Sequence, residues 1–162
     1  MSRGYIKNID KLMQKLKEMG KDKQIVGGAV KKAGLQVRDE AKLNCPVDTG
    51  NLRNSIKCSK PKQDGNGNWY VDVYTNTEYA VYVEFGTGQK GQSTNTNSDV
   101  SVSYRQDGWV YQDEEGSWWY TTGQPAQPFL YPALKDNEYE IKKGIAKSVE
   151  KGFKRYCKEE VV

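Results

Sequence analysis

The sequence predicts an α+β fold: an antiparallel β-sheet with N-terminal and C-terminal helices packed on one face, plus an extended loop and a β-hairpin. At both ends of the chain, apolar residues recur at spacings of three and four, the period of an amphipathic helix. In the middle they alternate with polar residues, as half-buried strands do. Helices, then strands, then a helix is the order of an α+β domain. The 162 residues are expected to form a single domain.

Two helices are predicted in the N-terminal region, over about 5–19 and 24–44. The first has one apolar stripe, made of Ile6, Ile9, Leu12, Met13, Leu16 and Met19. The second contains three glycines, Gly27, Gly28 and Gly34. Each glycine costs a helix about 1 kcal/mol relative to alanine. Glycines also allow a neighbouring segment to pack closely, and the sequence leaves both interpretations open.

The stretch CPVDTGNLRNSI, residues 45–56, is predicted to be a corner rather than a catalytic site. Pro46 disfavours helical geometry at the residue before it, so the second helix should end there. Asp48 and Thr49 are favoured N-cap residues, and we expect their side chains to cap a short helical turn. Gly50 follows where the chain changes direction. We expect the capping interactions to stabilise this corner.

The sheet and hairpin are predicted between about 55 and 123. NWYVDVYT (68–75) and EYAVYVEFG (78–86) both alternate and are rich in aromatic and β-branched residues, which predicts two strands. QDGNGN (63–68) supplies a turn before them. A third strand is predicted over SIKCSK (55–60), which completes an antiparallel meander with one face toward the core.

An extended loop and an aromatic hairpin are predicted to follow. Residues 86–101 contain almost no large apolar side chain and are expected to be flexible. WVYQ and SWWYTT then flank the acidic turn DEEG, a hairpin pattern. Two adjacent tryptophans cannot both face inward on a regular strand, so part of this segment should be exposed. We therefore predict a protein interface formed by Trp109, Tyr111, Trp118, Trp119 and Tyr120.

A last helix is predicted over about 134–156, after a proline-rich approach. QPAQPFLYPAL contains Pro125, Pro128 and Pro132, and the residues after it again show the helical period. Pro128 and Phe129 are expected to turn the chain into this helix.

The composition argues against enzymatic chemistry. Histidine is absent, which removes the commonest general base and the commonest metal ligand. The three cysteines, Cys45, Cys58 and Cys157, have no CxxC spacing. We therefore predict no catalytic residue, no cofactor and no metal; a hydrolase built on carboxylates is the least favoured alternative. No apolar run reaches the length of a membrane span.

Charge is unevenly distributed along the chain. Residues 1–44 carry a net charge of +6, residues 45–134 carry −4, and residues 135–162 carry +2. Complementary surface potentials of this kind favour head-to-tail contact between copies as readily as contact with nucleic acid. The aromatic segment lies in the acidic part, where phosphate neutralisation is weakest, so nucleic-acid binding is expected to be unlikely.

Three segments together resemble one family. CPVDTGNLRNSI, YAVYVEFGTG and QPFLYPAL are similar to segments of the small head-tail joining proteins of long-tailed bacteriophages and prophages, the gene-product-ten type. The matching positions in the first segment are Pro46, Asp48, Thr49, Gly50, Leu52, Arg53, Ser55 and Ile56. Those in the second are Tyr79, Ala80, Glu84, Phe85, Gly86 and Thr87. Those in the third are Pro128, Phe129, Pro132, Ala133 and Leu134.

The resemblance implies a structural protein of the virion, made in the host cytoplasm and assembled at the head-tail junction or upper tail. It implies other neck, connector or tail-tube proteins as partners and a ring of subunits on assembly. We expect such subunits to stay monomeric in dilute solution when the full set of contacts is missing. The alternative is a nucleic-acid-binding accessory protein that uses the basic N-terminal helix and the aromatic hairpin.

Overall fold

The computed structural model of the chain describes residues 9–159, with side chains from 14 to 155 apart from Lys15. In this part of the chain it combines α-helices with short antiparallel strands, which confirms the predicted α+β class. The start predicted for the first helix at residue 5, and the side chains of its apolar stripe up to Met13, lie outside what the structure describes. The prediction of a single domain over the whole chain remains a prediction.

Helices form most of the regular structure. They are α1 (Ile9–Gly20), α2 (Gly28–Asn44), α3 (Asn51–Ser55), α4 (Ala80–Phe85), α5 (Gly88–Thr94), α6 (Leu130–Lys135) and α7 (Glu138–Glu159). A π-helical turn, Lys23–Gly27, runs directly into α2. Asp22 caps this turn, because its Oδ1 accepts the backbone amides of Gln24 and Ile25 at 2.6 and 3.0 Å.

The strands are short. They are β1 (Lys57–Cys58), β2 (Lys62–Gln63), β3 (Trp69–Tyr70), β4 (Val73–Tyr74), β5 (Trp109–Gln112) and β6 (Trp118–Thr121). β2 and β3 pair antiparallel around the predicted QDGNGN turn. β5 and β6 pair antiparallel around DEEG, which confirms the predicted hairpin.

The strand predicted over EYAVYVEFG is wrong, because the segment forms α4. Apolar residues at every second position also place some side chains four apart, so a short run of this kind fits a helix equally well. Here the pair at that spacing is Ala80 and Glu84, and both are buried. Val81 and Tyr82 are half exposed. The buried contacts of Glu84 described below decide between the two structures.

The flexible loop predicted over 86–101 is partly wrong, because Gly88–Thr94 forms α5. The glycines of this segment lie directly against other parts of the backbone, which leaves no room for larger side chains at those positions. Gly88 and Gly91 are buried, and a Cβ at Gly91 would lie 2.6 Å from the carbonyl carbon of Gly86. Absence of apolar side chains was therefore a sign of close packing here rather than of disorder.

The single C-terminal helix predicted from residue 134 is two helices, α6 and α7. α6 begins earlier than predicted, at Leu130. Pro132 lies in its first turn, where amide groups have no partner within the helix and a proline is tolerated.

The chain divides into two compact units, each assembled from separate stretches of sequence. The first unit, in its described part, comprises residues 9–35, 58–72 and 139–159. The indole Nε1 of Trp69 donates to the carbonyl oxygen of Gly20 at 2.9 Å, and its ring lies against Gly27. The ammonium group of Lys31 donates to the carbonyl oxygens of Cys58 and Ser59 at 3.0 and 2.7 Å.

Gly34 resolves the question that the glycines of the second helix left open. A Cβ on Gly34 would lie 2.4 Å from Cγ2 of Val71 and 2.9 Å from Sγ of Cys58. The α2 backbone therefore approaches these side chains more closely than an alanine allows. A Cβ on Gly28, in the same helix, would have no neighbouring heavy atom within 4 Å.

The second unit comprises residues 36–57 and 73–138. Most of the buried apolar side chains of the described chain belong to it: Val37, Ala41, Cys45, Leu52, Ile56, Ala80, Phe129 and Ala133. The segments that resemble the phage family and the aromatic hairpin all lie in this unit.

The contrast between Gly34 and Gly28 gives a paired test. We expect Gly34→Ala to lower the free energy of unfolding by about 1–3 kcal/mol, because the added methyl group overpacks against Val71 and Cys58. Gly28→Ala is expected to leave it unchanged or raise it by up to about 1 kcal/mol through helix propensity. Urea unfolding measures both, and equal effects of the two substitutions would contradict the close approach at Gly34.

Candidate protein-interaction site

Glu84 is a buried carboxylate, only 5% exposed, at the centre of the second unit. Its Oε2 accepts the backbone amides of Phe129 and Leu130 at 2.8 and 2.9 Å, and its Oε1 accepts that of Tyr131 at 2.9 Å. These amides belong to the first turn of α6, where no partner exists within the helix. A carboxylate at this end also interacts favourably with the helix dipole. Glu84 on α4 therefore caps α6.

This cap joins two of the three segments that the sequence singled out. YAVYVEFGTG supplies the carboxylate, and QPFLYPAL supplies the three amides. Phe129 is fully buried beside them, and Ala133 is fully buried one turn later. The sequence placed Glu84 at the end of a strand, so it identified the residue but not its role.

The predicted side-chain cap at Asp48 and Thr49 is wrong. Gly50 is the N-cap residue of α3, in a left-handed conformation with φ of 82°, and no side chain caps this helix. The hydroxyl of Thr49 meets the Asn51 amide only at 3.5 Å, the outer limit of a hydrogen bond. Gly50 sets the corner because a positive φ is accessible to glycine without a Cβ penalty.

The rest of this corner behaves as the sequence predicted. α2 ends at Asn44, just before Pro46. Leu52 is buried in α3, while Arg53 is exposed. Burial also raises the pKa of the Cys45 thiol, and the nearby positive charge of Arg53 only partly opposes this. Cys45 is therefore a buried core residue whose thiol is protonated more readily than that of an exposed cysteine.

Glycines hold the base of the hairpin against the segment after Glu84. Gly123, with φ of 111°, lies so close to Thr87 that a Cβ would be 1.8 Å from its carbonyl oxygen. The Thr87 amide donates to the carbonyl oxygen of Gln124 at 2.9 Å, and the Thr87 hydroxyl accepts the Gln124 amide at 3.0 Å. The predicted positions Gly86 and Thr87 thus anchor the chain where it leaves β6.

The hairpin beyond this anchor is exposed on both faces. Trp119 lies opposite Tyr111 on one face, and Tyr120 lies opposite Val110 on the other. Trp118 and Tyr120 are each 69% exposed, and Trp119 is 54% exposed. The sequence led us to expect one face toward the core, but of the strand residues only Trp109 and Thr121, at the base, are half-buried. Large aromatic side chains this exposed are typical of a surface that a partner covers.

The hairpin turn is stiffened by its own side chains. Asp113 Oδ1 accepts the amides of Glu115 and Ser117, and its Oδ2 accepts the indole N–H of Trp119 at 2.6 Å. Gly116 completes the turn with φ of 86°. These hydrogen bonds, with that to Trp119 the largest cause, hold the pKa of Asp113 below its usual 3.8.

The same turn occurs a second time in the chain. QDGNGNW (63–69) and QDEEGSW (112–118) share glutamine, aspartate, glycine and tryptophan at the same spacing. In both, the aspartate accepts backbone amides two and four residues later, and the glutamine amide donates to the glycine carbonyl at 2.8 Å. A turn was predicted at each position from the sequence, but the repeat was not.

An apolar cleft adjoins the base of the hairpin. Its volume is about 730 Å³, and its walls include Val81 and Tyr82 of α4, Val102, Tyr104 and Trp109. The Tyr104 hydroxyl donates to the carbonyl oxygen of Phe85 at 2.9 Å. Arg105 stacks over Trp109, with its guanidinium carbon 5.6 Å from the ring centre. Phe85, Gly86, Thr87 and Trp109 of this cleft were singled out from the sequence, whereas Val81, Tyr82, Val102, Tyr104 and Arg105 were not.

The described residues around this site include exposed aromatic side chains and one buried carboxylate. Within residues 9–159, no cluster of cysteine, aspartate and glutamate side chains is arranged to hold a metal ion. The helices of the same range include none with the length and apolar character needed to cross a membrane. The one buried carboxylate of the second unit, Glu84, has both oxygens engaged by backbone amides. The exposed groups are aromatic and acidic side chains, which suit protein recognition.

Residues 10–86 match the family model HK97-gp10_like, described as Bacteriophage HK97-gp10, putative tail-component. The match spans just under half of the chain and confirms the resemblance over those residues. It includes the corner at 45–56 and ends at Gly86, so it covers Glu84 but not the helix that Glu84 caps. It supports a structural protein related to the phage tail. No curated protein and no solved structure matches the chain.

The cap on α6 can be tested with one substitution. We expect Glu84→Gln to lower the free energy of unfolding by about 1–3 kcal/mol, because the glutamine NH2 group would face a backbone N–H and leave it unsatisfied. Glu78→Gln, at an exposed position of the same unit, is the control and should change it by less than about 0.5 kcal/mol. Urea unfolding of both variants measures the difference. A Glu84→Gln protein as stable as the control would contradict the cap.

The hairpin turn should respond to acid at low pH. The lowered pKa of Asp113 means that its hydrogen bonds stabilise the turn above pH 3.8 and are lost as the pH falls through the lower folded value. We expect the indole N–H resonance of Trp119 to shift only below pH 3.8, measured by ¹⁵N-edited NMR. Asp113→Asn removes the titrating group and should abolish the shift. A shift centred at or above 3.8 in the unsubstituted protein would contradict the contact.

Proposed function

We propose that this protein is a head-tail joining component of a long-tailed phage or prophage, acting at the neck or upper tail. In this role it binds other neck, connector or tail-tube proteins and assembles into a ring of subunits. It works through its surface and transforms no substrate. Its place is the virion, which it enters after synthesis in the host cytoplasm.

The observation that carries the proposal is the exposed aromatic hairpin. The match of residues 10–86 supports a phage tail-related structural protein, but it ends before the hairpin begins. Trp118, Trp119 and Tyr120 are each more than half exposed and project from a base that Thr87 and Gly123 hold in place. A rigid, solvent-exposed aromatic element loses little conformational entropy on binding, so it suits a docking surface.

The proposed mechanism is docking of an already formed surface. The turn of the hairpin is closed by hydrogen bonds of Asp113 and Gln112, so its shape does not depend on a partner. Trp118 and Tyr120 lie on one face, since residues two apart on a strand point to the same side. This face supplies a paired aromatic anchor of the kind that dominates binding energy at protein interfaces.

Substitution at the hairpin tests the proposed function. In a phage that encodes this chain, we expect Trp118→Ala with Tyr120→Ala to leave folding intact and to stop head-tail joining. Electron microscopy should show filled heads and finished tails unattached to one another. The control is Tyr139→Ala on α7, which removes an aromatic side chain that is 74% exposed outside the hairpin.

Complete virions assembled by the hairpin variant would overturn the proposed docking surface. Thermal melting of the purified variant separates this result from misfolding, because exposed side chains away from the core should change stability by no more than about 0.5 kcal/mol.

A further inference from the structure

The two units of the chain carry opposite charge. The first unit has 16 basic and 8 acidic side chains over its described residues, a net charge of +8. The second has 7 basic and 12 acidic side chains, a net charge of −5. The difference in net charge between the two units is thus larger than that between the segments of the sequence. Copies of such a protein attract one another when the acidic unit of one meets the basic unit of the next.

The first unit contains a groove where this positive charge is concentrated. Its volume is about 410 Å³, and its basic residues are Lys32 of α2 and Lys151 and Arg155 of α7. None of the three has a carboxylate partner among the described residues. Asp22 is the one acidic residue among the described residues that line the groove, and it already accepts two backbone amides. Within the part of the chain whose side chains are described, the groove thus presents three cations that have no ion pair.

The tip of the hairpin in the second unit presents the matching charge. Glu114 and Glu115 are adjacent, exposed and without an ion pair in the part of the chain that the structure describes. Asp113 is turned inward to the turn amides and Trp119, so the two glutamates alone face outward from the turn. Both lie at the apex of the exposed hairpin.

We propose that the acidic hairpin tip of one copy, at Glu114 and Glu115, docks in the basic groove of a second copy at Lys32, Lys151 and Arg155. This inference rests on the proposed ring and names the contact that would build it. A second copy is favoured over other occupants because the chain itself supplies a rigid tip of complementary charge. The contact brings two glutamates to three basic side chains on an exposed surface. Because dissolved salt screens exposed charges, the affinity should fall as ionic strength rises.

The arrangement explains why association would produce a ring. Tip and groove are different surfaces, so two copies joined by one such contact still have one tip and one groove unused between them. A head-to-tail contact of this kind can pass from copy to copy until the rotation closes into a ring or extends as a filament. A single such contact between exposed charges is weak, which agrees with subunits that separate in dilute solution.

A charge swap tests the contact. We expect Glu114→Lys with Glu115→Lys to weaken self-association about tenfold or more at low salt, since like charges then face each other. Lys151→Glu with Arg155→Glu should have the same effect. All four substitutions in one chain restore opposite charges and should restore association. Sedimentation velocity at high protein concentration measures the four proteins.

The control for the groove is Lys143→Glu, which reverses a charge on α7 outside the groove. It should leave association unchanged. Failure of the four-substitution chain to recover, or an unsubstituted chain that stays monomeric at high concentration and low salt, would overturn the contact. So would loss of binding to a short DNA duplex in Lys151→Glu with Arg155→Glu while association is unaffected, because the groove would then be a nucleic-acid site.

These outcomes are separate from the test of the proposed function. Head-tail joining is measured by microscopy of particles with substitutions at Trp118 and Tyr120, whereas the charge swap leaves those aromatic residues in place. If particles with only the Glu114→Lys and Glu115→Lys substitutions join normally, the groove contact is contradicted, whereas the joining role is not.

Discussion

The second unit depends on one buried interaction, the carboxylate of Glu84 with the first three amides of α6. Removing a carboxylate from water is costly unless hydrogen bonds replace those lost, and here three backbone amides do so. The amides in turn would be unsatisfied without it. Because the carboxylate and the amides each supply the other's hydrogen-bond partners, a shift of α4 relative to Phe129 would leave both groups unsatisfied. The fully buried Phe129 ring sits at the point that this pairing fixes.

The position of the hairpin follows from that constraint. Glu84 fixes α4, and the chain after α4 runs through Gly86, Thr87 and Gly88, whose backbone lies directly against residues 122–126. Backbone packed on backbone leaves no side chain that can change rotamer, so this junction is stiff. An aromatic surface carried on such a junction keeps its orientation when it is exposed to water.

Structure that depends on local sequence patterns could be predicted, whereas structure that depends on contacts between residues far apart in the chain could not. The hairpin at 109–121 was found because strand alternation and turn residues agree locally. α4 was assigned to a strand because its apolar spacing fits two structures, and the residue that decides between them, Glu84, acts on amides about 45 positions later. Asp48 and Thr49 were good local caps, but Gly50 with its positive φ made a side-chain cap unnecessary. The exposure of both hairpin faces could not be predicted, since it depends on what the rest of the fold leaves uncovered.

The repeated turn has a consequence for how this surface can change over time. The hydrogen bonds that the two copies share use the side chains of the glutamine and the aspartate and otherwise only backbone groups. The two residues at the apex are Gly65 and Asn66 in one copy but Glu114 and Glu115 in the other. The apex residues therefore differ between the two copies, whereas the residues whose side chains close the turn are the same. A lineage could exchange its apex for residues of another charge, and so acquire a new binding specificity, while strand register and folding stay the same.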